Sequence, residues 1–374
     1  MLRVALQMLF HKPVRSLATA VGLGALFFLS AAQVGLMVGW CQTCSALIRH
    51  AGVDLWVVAE QTPAFDYGTA IPRQRLYQVR GVSGVGWAEG LVHAWNIWQR
   101  PDGRRVNVEM IGLDDSSVGG PWRMQQGQVS NVHLPDGVIV DELYVRDLGV
   151  TAIGDTVELL GRRAVVRGFS RDVRTLTASP FVFTSITSAI AYDRRYRDDE
   201  ITYVMARVAP GRSVEEVAAA VREVVPYCEV LTTHDFAVRT MRYWMLETGL
   251  GITVVLTAIL GFTVSALVMS QTLYSLTQDH LPHYVTLLAL GFSRSRLRAC
   301  ILWQTMLLTS CGIVVGSVLF VVASRLSQRT VIPIETTLEV SALLMVLELL
   351  SAVVGSLLSL RVIWSAEPAT VFRT

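Results

Sequence analysis

The stretch SLATAVGLGALFFLSAAQVGLMV, Ser16 to Val38, holds 23 residues and no charge. About 20 apolar residues at 1.5 Å rise per residue cross the hydrocarbon core of a bilayer, so this run is long enough to span a membrane. It also exceeds the usual 7–15-residue apolar core of a secretory signal, which makes a retained span the expectation. The small residues Ala31 and Ala32 keep signal cleavage open as an alternative.

Working outward, about two hundred residues of ordinary globular composition follow, and three more apolar runs then fill the C-terminal third: Leu246–Leu273, Ala299–Ala323 and Val340–Leu360. The whole chain of 374 residues is 52% hydrophobic and 17% charged, with a mean hydropathy of +0.45, too apolar for an ordinary soluble protein. The fold class expected is an α-helical membrane protein with four transmembrane helices in a 1+3 arrangement and a mixed α/β extracytoplasmic domain. Its parts are residues 1–40 (cytoplasmic flank and first span), 41–245 (external domain) and 246–374 (three spans, their loops and the tail).

Charge placement orients the chain. Arg3, Lys12, Arg15, Arg294, Arg296, Arg298, Arg361 and Arg373 flank the spans on one side, against Arg325 and Arg329 in the one short loop of the other. The positive-inside rule then puts both termini in the cytoplasm and the large domain outside, in a multi-pass membrane protein. Trp40 and Trp244, at the outer ends of spans one and two, read as interfacial aromatics. Residues 41–245 carry 22 Lys/Arg and 24 Asp/Glu, the mixed balance of a solvated domain. No basic stretch is interleaved with stacking aromatics, so nucleic-acid binding finds no support.

Within the external segment, Val53–Ala59, Val138–Val140 and Tyr203–Val208 predict strands, and Val157–Leu160 with Ala164–Gly168 predict a hairpin around Gly161-Arg162-Arg163. Ser213 with Glu216 forms a capping box for a helix to about Val224, stopped by Pro226. Phe236–Met245 is expected to run into the second span without a break.

Catalytic signatures are absent: there is no G-x-S-x-G, H-E-x-x-H or D-x-D-x-D-G. Asp141-Glu142 and Asp198-Asp199-Glu200 read as exposed acidic turns. Lys12 is the only lysine, so a G-x-x-x-x-G-K-[ST] nucleotide loop is impossible and any ATP must be hydrolysed on another polypeptide. The chain is therefore expected not to be an enzyme. Cys41 and Cys44 form a C-x-x-C whose readings are a redox or metal pair, a disulfide, or two ordinary thiols. Glu348, mid-span in the last apolar run, is costly unless paired or facing a cavity, and reads as either a structural or a functional carboxyl. The Gly35-x-x-x-Gly39 and Gly312-x-x-x-Gly316 pairs serve either a dimer interface or packing within the chain.

The cytoplasmic connection between spans two and three, YSLTQDHLPHYVTLLALGFSRSRLR (Tyr274–Arg298), carries the informative chemistry. Pro282 suits the first turn of a short helix after Asp279 or His280, Leu281, Tyr284, Val285, Leu287 and Leu288 make its apolar stripe, and Gly291 ends it. Such a helix is either an interfacial anchor on membrane lipid or a peg for a partner's groove.

These residues carry a resemblance. The layout, together with QDHLPHYVTLLALGFS (Gln278–Ser293), PRQRLYQVRGVSGV (Pro72–Val85), APGRSVEEVAAAVRE (Ala209–Glu223), LTTHDF…YW (Leu231–Trp244) and SAEPATVFR (Ser365–Arg373), resembles the permeases of the MacB/FtsX-like ABC transporter superfamily, nearest to the DevC-type permeases of heterocyst glycolipid exporters. The sequence departs from that pattern at His283, where an acidic residue is common, at Leu288, where a basic one is, and in its C-x-x-C.

The resemblance implies a homodimer, each copy bound to a cytoplasmic ABC ATPase through a coupling helix containing Asp279, His280, Leu281, Pro282, His283, Tyr284, Leu287, Leu288 and Gly291. It implies ATP and Mg on that partner, with no cofactor on this chain. It further implies a periplasmic adaptor and an outer-membrane duct, and mechanotransmission in the export of an amphiphile such as a lipid, glycolipid, peptide or drug. The alternatives are an FtsX-like regulator of a cell-wall enzyme and a lipoprotein-releasing permease.

Overall fold

The computed structural model describes residues 2–365 apart from 12, 178, 194 and 280. His280 of the expected coupling helix, Lys12, and all of the C-terminal SAEPATVFR segment after Ser365 lie outside the described residues, as do the side chains of Leu281, Pro282, Arg361 and Trp364. The chain divides into two compact units: residues 40–252 with 329–332, and residues 1–39, 253–328 and 333–374.

The first unit is built on a mixed sheet. Its strands in chain order are β1 (Leu55–Ala59), β2 (Ile71–Pro72), β3 (Val85–Gln99), β4 (Arg105–Leu113), β5 (Met124–Gln126), β6 (Gly137–Asp141), β7 (Thr156–Leu159), β8 (Arg162–Ser170), β9 (Phe181–Ser185), β10 (Glu200–Ile201), β11 (Tyr203–Val208) and β12 (Cys228–Thr232). The large sheet runs β12-β1-β11-β3-β4-β9-β6-β8-β5, with β7 bridging β3 and β8, while β2 and β10 make a separate pair. The β4–β9 and β6–β8 pairs are parallel and the others antiparallel.

Burial on both faces explains why the strands read as continuous apolar runs. On β1, Leu55 and Val57 pack with Leu76, Val79, Val217 and Val221, the apolar sides of helices Gln74–Arg80 and Val214–Val224. Trp56 and Val58 point the other way, into a cluster with Phe65, Tyr203 and Phe236. Ser213 caps its helix as the capping box predicts, its side chain accepting from Glu216 N, and that helix ends at Val224.

Local geometry corrects several expectations. The hairpin turn falls on Leu160-Gly161, both left-handed (φ 46° and 78°), because Leu159 pairs directly with Arg162. Asp141 is not an exposed acid. It is buried, with Ser170 Oγ donating to it at 2.8 Å, Val173 N at 2.9 Å and Leu143 N at 3.0 Å. Nor does the helix from Thr233 run unbroken into the second span. It passes through a π-helical turn at Tyr243–Glu247 and stops at Thr248-Gly249, where Gly249 (φ 73°) takes a left-handed conformation, so the spanning helix begins at Leu250. Trp40 and Trp244, read as lipid-interface anchors, are buried together with Cys44 in a protein core.

The second unit contains the helices. Helices Pro13–Cys44, Leu250–Asp279, Arg294–Ser327 and Leu338–Ser365 each hold a stretch long and apolar enough to cross a membrane, four among the described residues. The glycine pairs serve packing within the chain. A Cβ on Gly312 would stand 2.9 Å from Leu23 Cβ and one on Gly316 2.8 Å from Phe27 Cδ1, and one on Gly35 would meet Ile334 Cγ2 at 2.8 Å. A short helix that composition did not reveal, Leu2–His11, precedes the first span with Ala5 and Leu9 buried.

Candidate functional site

Between spans two and three the chain forms helix Leu281–Ala289, in the segment where the sequence predicts a short helix. Asp279, the last residue of the preceding helix, is ion-paired to Arg15 of the first span. At the other end Gly291 (φ 88°) closes a Schellman motif: Gly291 N donates to Leu288 O at 3.0 Å and Phe292 N to Leu287 O at 3.1 Å. Ser293 then caps helix Arg294–Ser327, accepting from Arg296 N. Two turns of helix are thus held between two defined ends.

The apolar stripe faces the protein's own interior. Tyr284 is 1% exposed and clusters with Leu297 and Ile301, with Met8, Leu287 and Leu288 packed around them. Its hydroxyl donates to Gln304 Oε1 at 2.6 Å. Burial in this cluster pushes the Tyr284 phenol well above its usual range. Tyr284 therefore fastens the helix to the third span and is not available as a docking residue. The opposite face carries His283 and Thr286, both exposed, and continues to Leu290 at 72% exposure. The exposed Arg294, Arg296 and Arg298 follow immediately.

The remaining sequence-derived candidates do not join this site. Cys41 and Cys44 are free thiols, and the disulfide is not formed. Helix continues through both, and it sends Cys44 Sγ back to Trp40 O at 3.1 Å while Cys41 Sγ lies 3.8 Å from Met245 Sδ. Glu348 is 3% exposed within its span, and among the described residues its Oε1 has no hydrogen-bond partner.

The MacB-like periplasmic core domain matches residues 16–224, more than half of the chain, and the FtsX-like permease C-terminal domain matches residues 255–368. The chain belongs to the MacB/FtsX-like ABC transporter permeases. The permease is similar along its whole length to proteins named uncharacterized ABC transporter permease: Rv0072 of Mycobacterium tuberculosis (24% identical, covering 100% of this chain and 99% of the relative) and Mb2592 of Mycobacterium bovis (24%, with 100% and 99% covered). Among solved structures, the periplasmic region of MacB from Actinobacillus actinomycetemcomitans matches 50% of this chain and 92% of its own (12% identity, TM-score 0.39). The extracellular domain of YknZ from Gram-positive bacteria matches 48% and 98% (10% identity, TM-score 0.37). Its four apolar helices and its family make the permease a multi-pass membrane component of an ABC system with a large extracytoplasmic domain.

That domain holds a second cluster, which its sequence did not announce. Asp66, His93 and Glu109 offer ligand atoms within 4.8 Å of one another, and all three are buried. His93 and Glu109 come from neighbouring strands: His93 pairs with Ile111 and Trp95 with Glu109, so the two side chains lie diagonally on one face. Asp66 sits on a 3₁₀ turn, Phe65–Tyr67, that its backbone pins in place. Phe65 N donates to Thr240 Oγ1 at 3.1 Å, Phe65 O accepts from Tyr203 Oη at 2.5 Å, and Asp66 O accepts from Trp95 Nε1 at 3.0 Å. Burial raises Asp66 to about 7, helped by the nearby Glu109 charge, and raises Glu109 to about 7 against its threonine hydrogen bonds. Burial also lowers His93 to about 4, so its 3.2 Å contact with Glu109 is a hydrogen bond shared with a neutral ring and not an ion pair. A charged residue inside an apolar strand, Glu109 in VEMIGL, was the one available signal.

Proposed function

We propose that the permease couples ATP hydrolysis on a cytoplasmic ABC ATPase to movement of its extracytoplasmic domain, and that helix Leu281–Ala289 is where the force enters. The observation that supports this is the two-sidedness of that helix. One face is fastened to the permease through Tyr284 and Gln304, and the other presents His283, Thr286 and Leu290 to a partner. A peg that is stiff on one side and exposed on the other transmits displacement instead of absorbing it. Because the partner-facing residues include His283, the ATPase groove is expected to suit an imidazole.

In this reading both termini lie in the cytoplasm, the permease works as a homodimer, and the ATP and Mg that drive it bind the partner ATPase. The cargo is an amphiphile such as a lipid, glycolipid, peptide or drug, handed to a periplasmic adaptor and an outer-membrane duct as in DevC-type systems. Co-expression of the permease with its cognate ATPase tests the docking face. Thr286→Glu with Leu290→Glu is expected to abolish co-purification while membrane insertion persists. Unchanged co-purification would exclude this face as the docking site.

A further inference from the structure

The domain face that carries Trp56, Phe65, Tyr203 and Phe236 also carries two carboxylates that its aromatic lining does not require. Asp66 is 7%, His93 2% and Glu109 0% exposed. Burying two carboxylates away from water is expensive unless a positive partner accompanies them. Among the described residues His93 is the one basic group within ion-pair distance of Glu109, so two buried carboxyls share a single imidazole.

The surrounding hydrogen bonds orient the three groups toward one another. Glu109 uses Oε1 to accept from Thr175 Oγ1 at 3.0 Å and from Thr177 Oγ1, which leaves Oε2 beside His93 Nε2 at 3.2 Å. Asp66 uses Oδ2 to accept from Trp244 Nε1 at 2.7 Å. In each carboxylate one oxygen is held by a donor from outside the cluster, the arrangement by which outer partners aim metal ligands. A cavity of about 10 Å³, room for a single water, adjoins Asp66 and is also lined by Cys44 and Thr175.

We propose that Asp66, His93 and Glu109 bind a first-row divalent cation of the zinc type, with a fourth position open to the water-sized cavity. One imidazole nitrogen with two carboxylate oxygens suits zinc or a neighbouring transition ion better than calcium or magnesium, which prefer oxygen alone. A tetrahedral ion with bonds of about 2.0–2.1 Å holds its ligand atoms roughly 3.4 Å apart, and the His93–Glu109 pair already stands at 3.2 Å. The ligand atom of Asp66 lies within 4.8 Å of the other two, and it completes the set by closing that gap. Because Trp244 belongs to the π-helical turn from which the second span departs, the ion would also set how firmly that turn is fastened to the sheet.

Full-length permease in detergent, stripped with a chelator and titrated with zinc chloride, tests the site. About one zinc per chain should survive gel filtration and raise the thermal midpoint. Glu109→Gln and His93→Gln should each lower zinc affinity by about tenfold or more, and Thr175→Val, outside the ligand set, by roughly 10–100-fold. Where a ligand variant fails to fold, X-ray absorption at the zinc edge of the wild-type protein supplies the answer, with a nitrogen/oxygen shell containing one imidazole expected. Absence of stoichiometric zinc, affinity unchanged in folded Glu109→Gln protein, or a sulfur-containing shell would each overturn the assignment.

Discussion

The phenol of Tyr284 donates to Gln304 Oε1 at 2.6 Å, joining helix Leu281–Ala289 to the span that follows it. Replacing Tyr284 with Phe keeps the ring in its cluster but leaves a buried amide oxygen without its donor, a loss of about 1–3 kcal/mol. The expected result is a lower thermal midpoint of the solubilised permease with ATPase association intact. Tyr284→Asp, which buries a charge in the same cluster, should prevent accumulation in the membrane. Retained stability in both would show that the cluster contributes little.

A second hydrogen bond, from Trp244 Nε1 to Asp66 Oδ2, fastens the π-helical turn to the domain. Trp244→Phe keeps most of the apolar contact with Trp40 and Cys44 and removes the donor. Hydrogen exchange of the amides around Tyr243–Glu247 should accelerate in this variant while those of β3 and β4 stay protected. Equal protection of the turn in both proteins would mean that the bond does not restrain it.

The acid cluster predicts an unusual pH dependence for chelator-treated protein. Asp66 and Glu109 are both raised in the folded state to about 7, against roughly 4 in an unfolded chain. Their contribution to stability is therefore fully present below about pH 4 and is lost as pH rises through about 7. His93, lowered to about 4, works in the opposite sense, its contribution being lost as pH falls below about 6.5. Two carboxyls outweigh one imidazole, so the thermal midpoint should fall between about pH 5 and 8, and Glu109→Gln should flatten the fall. A midpoint that rises over this window would contradict the assignment.

Glu348 predicts a contrast between two substitutions. Gln matches its size and hydrogen-bonding reach, so Glu348→Gln is expected to express and transport normally. Glu348→Lys puts a longer cation at the same buried depth and should prevent insertion or accumulation, at a cost of about 2.5–3.5 kcal/mol for the charge. Normal expression of Glu348→Gln with lost transport would instead give the carboxylate a part in transport.

Much of this architecture is legible in the sequence because it rests on local pattern. The spans announce themselves by length and hydropathy, and Tyr203–Val208 reads as a strand because both its faces are buried. What is not legible depends on which surface covers which. The stripe through Tyr284 has the period of an amphipathic helix whether a partner or its own chain covers it, and only Leu297, Ile301 and Gln304 decide that. The break at Gly249 is hidden because one glycine between apolar residues does not reveal its left-handed backbone. Asp66, His93 and Glu109 come from separate segments with no motif spacing, and strand register alone brings His93 and Glu109 together.

The central claim is that force enters at the exposed face of the coupling helix and emerges as movement of the extracytoplasmic domain. Electron-spin distance measurement on the reconstituted permease–ATPase complex tests this most directly, with one label per copy at the exposed Ile153 and the native cysteines replaced. The account predicts that the distance between the two labels differs between nucleotide-free and ATP–vanadate-trapped complexes, and that Thr286→Glu with Leu290→Glu removes the difference. A distance that stays the same in both states while ATP is hydrolysed, or a shift that survives those two substitutions, would contradict it.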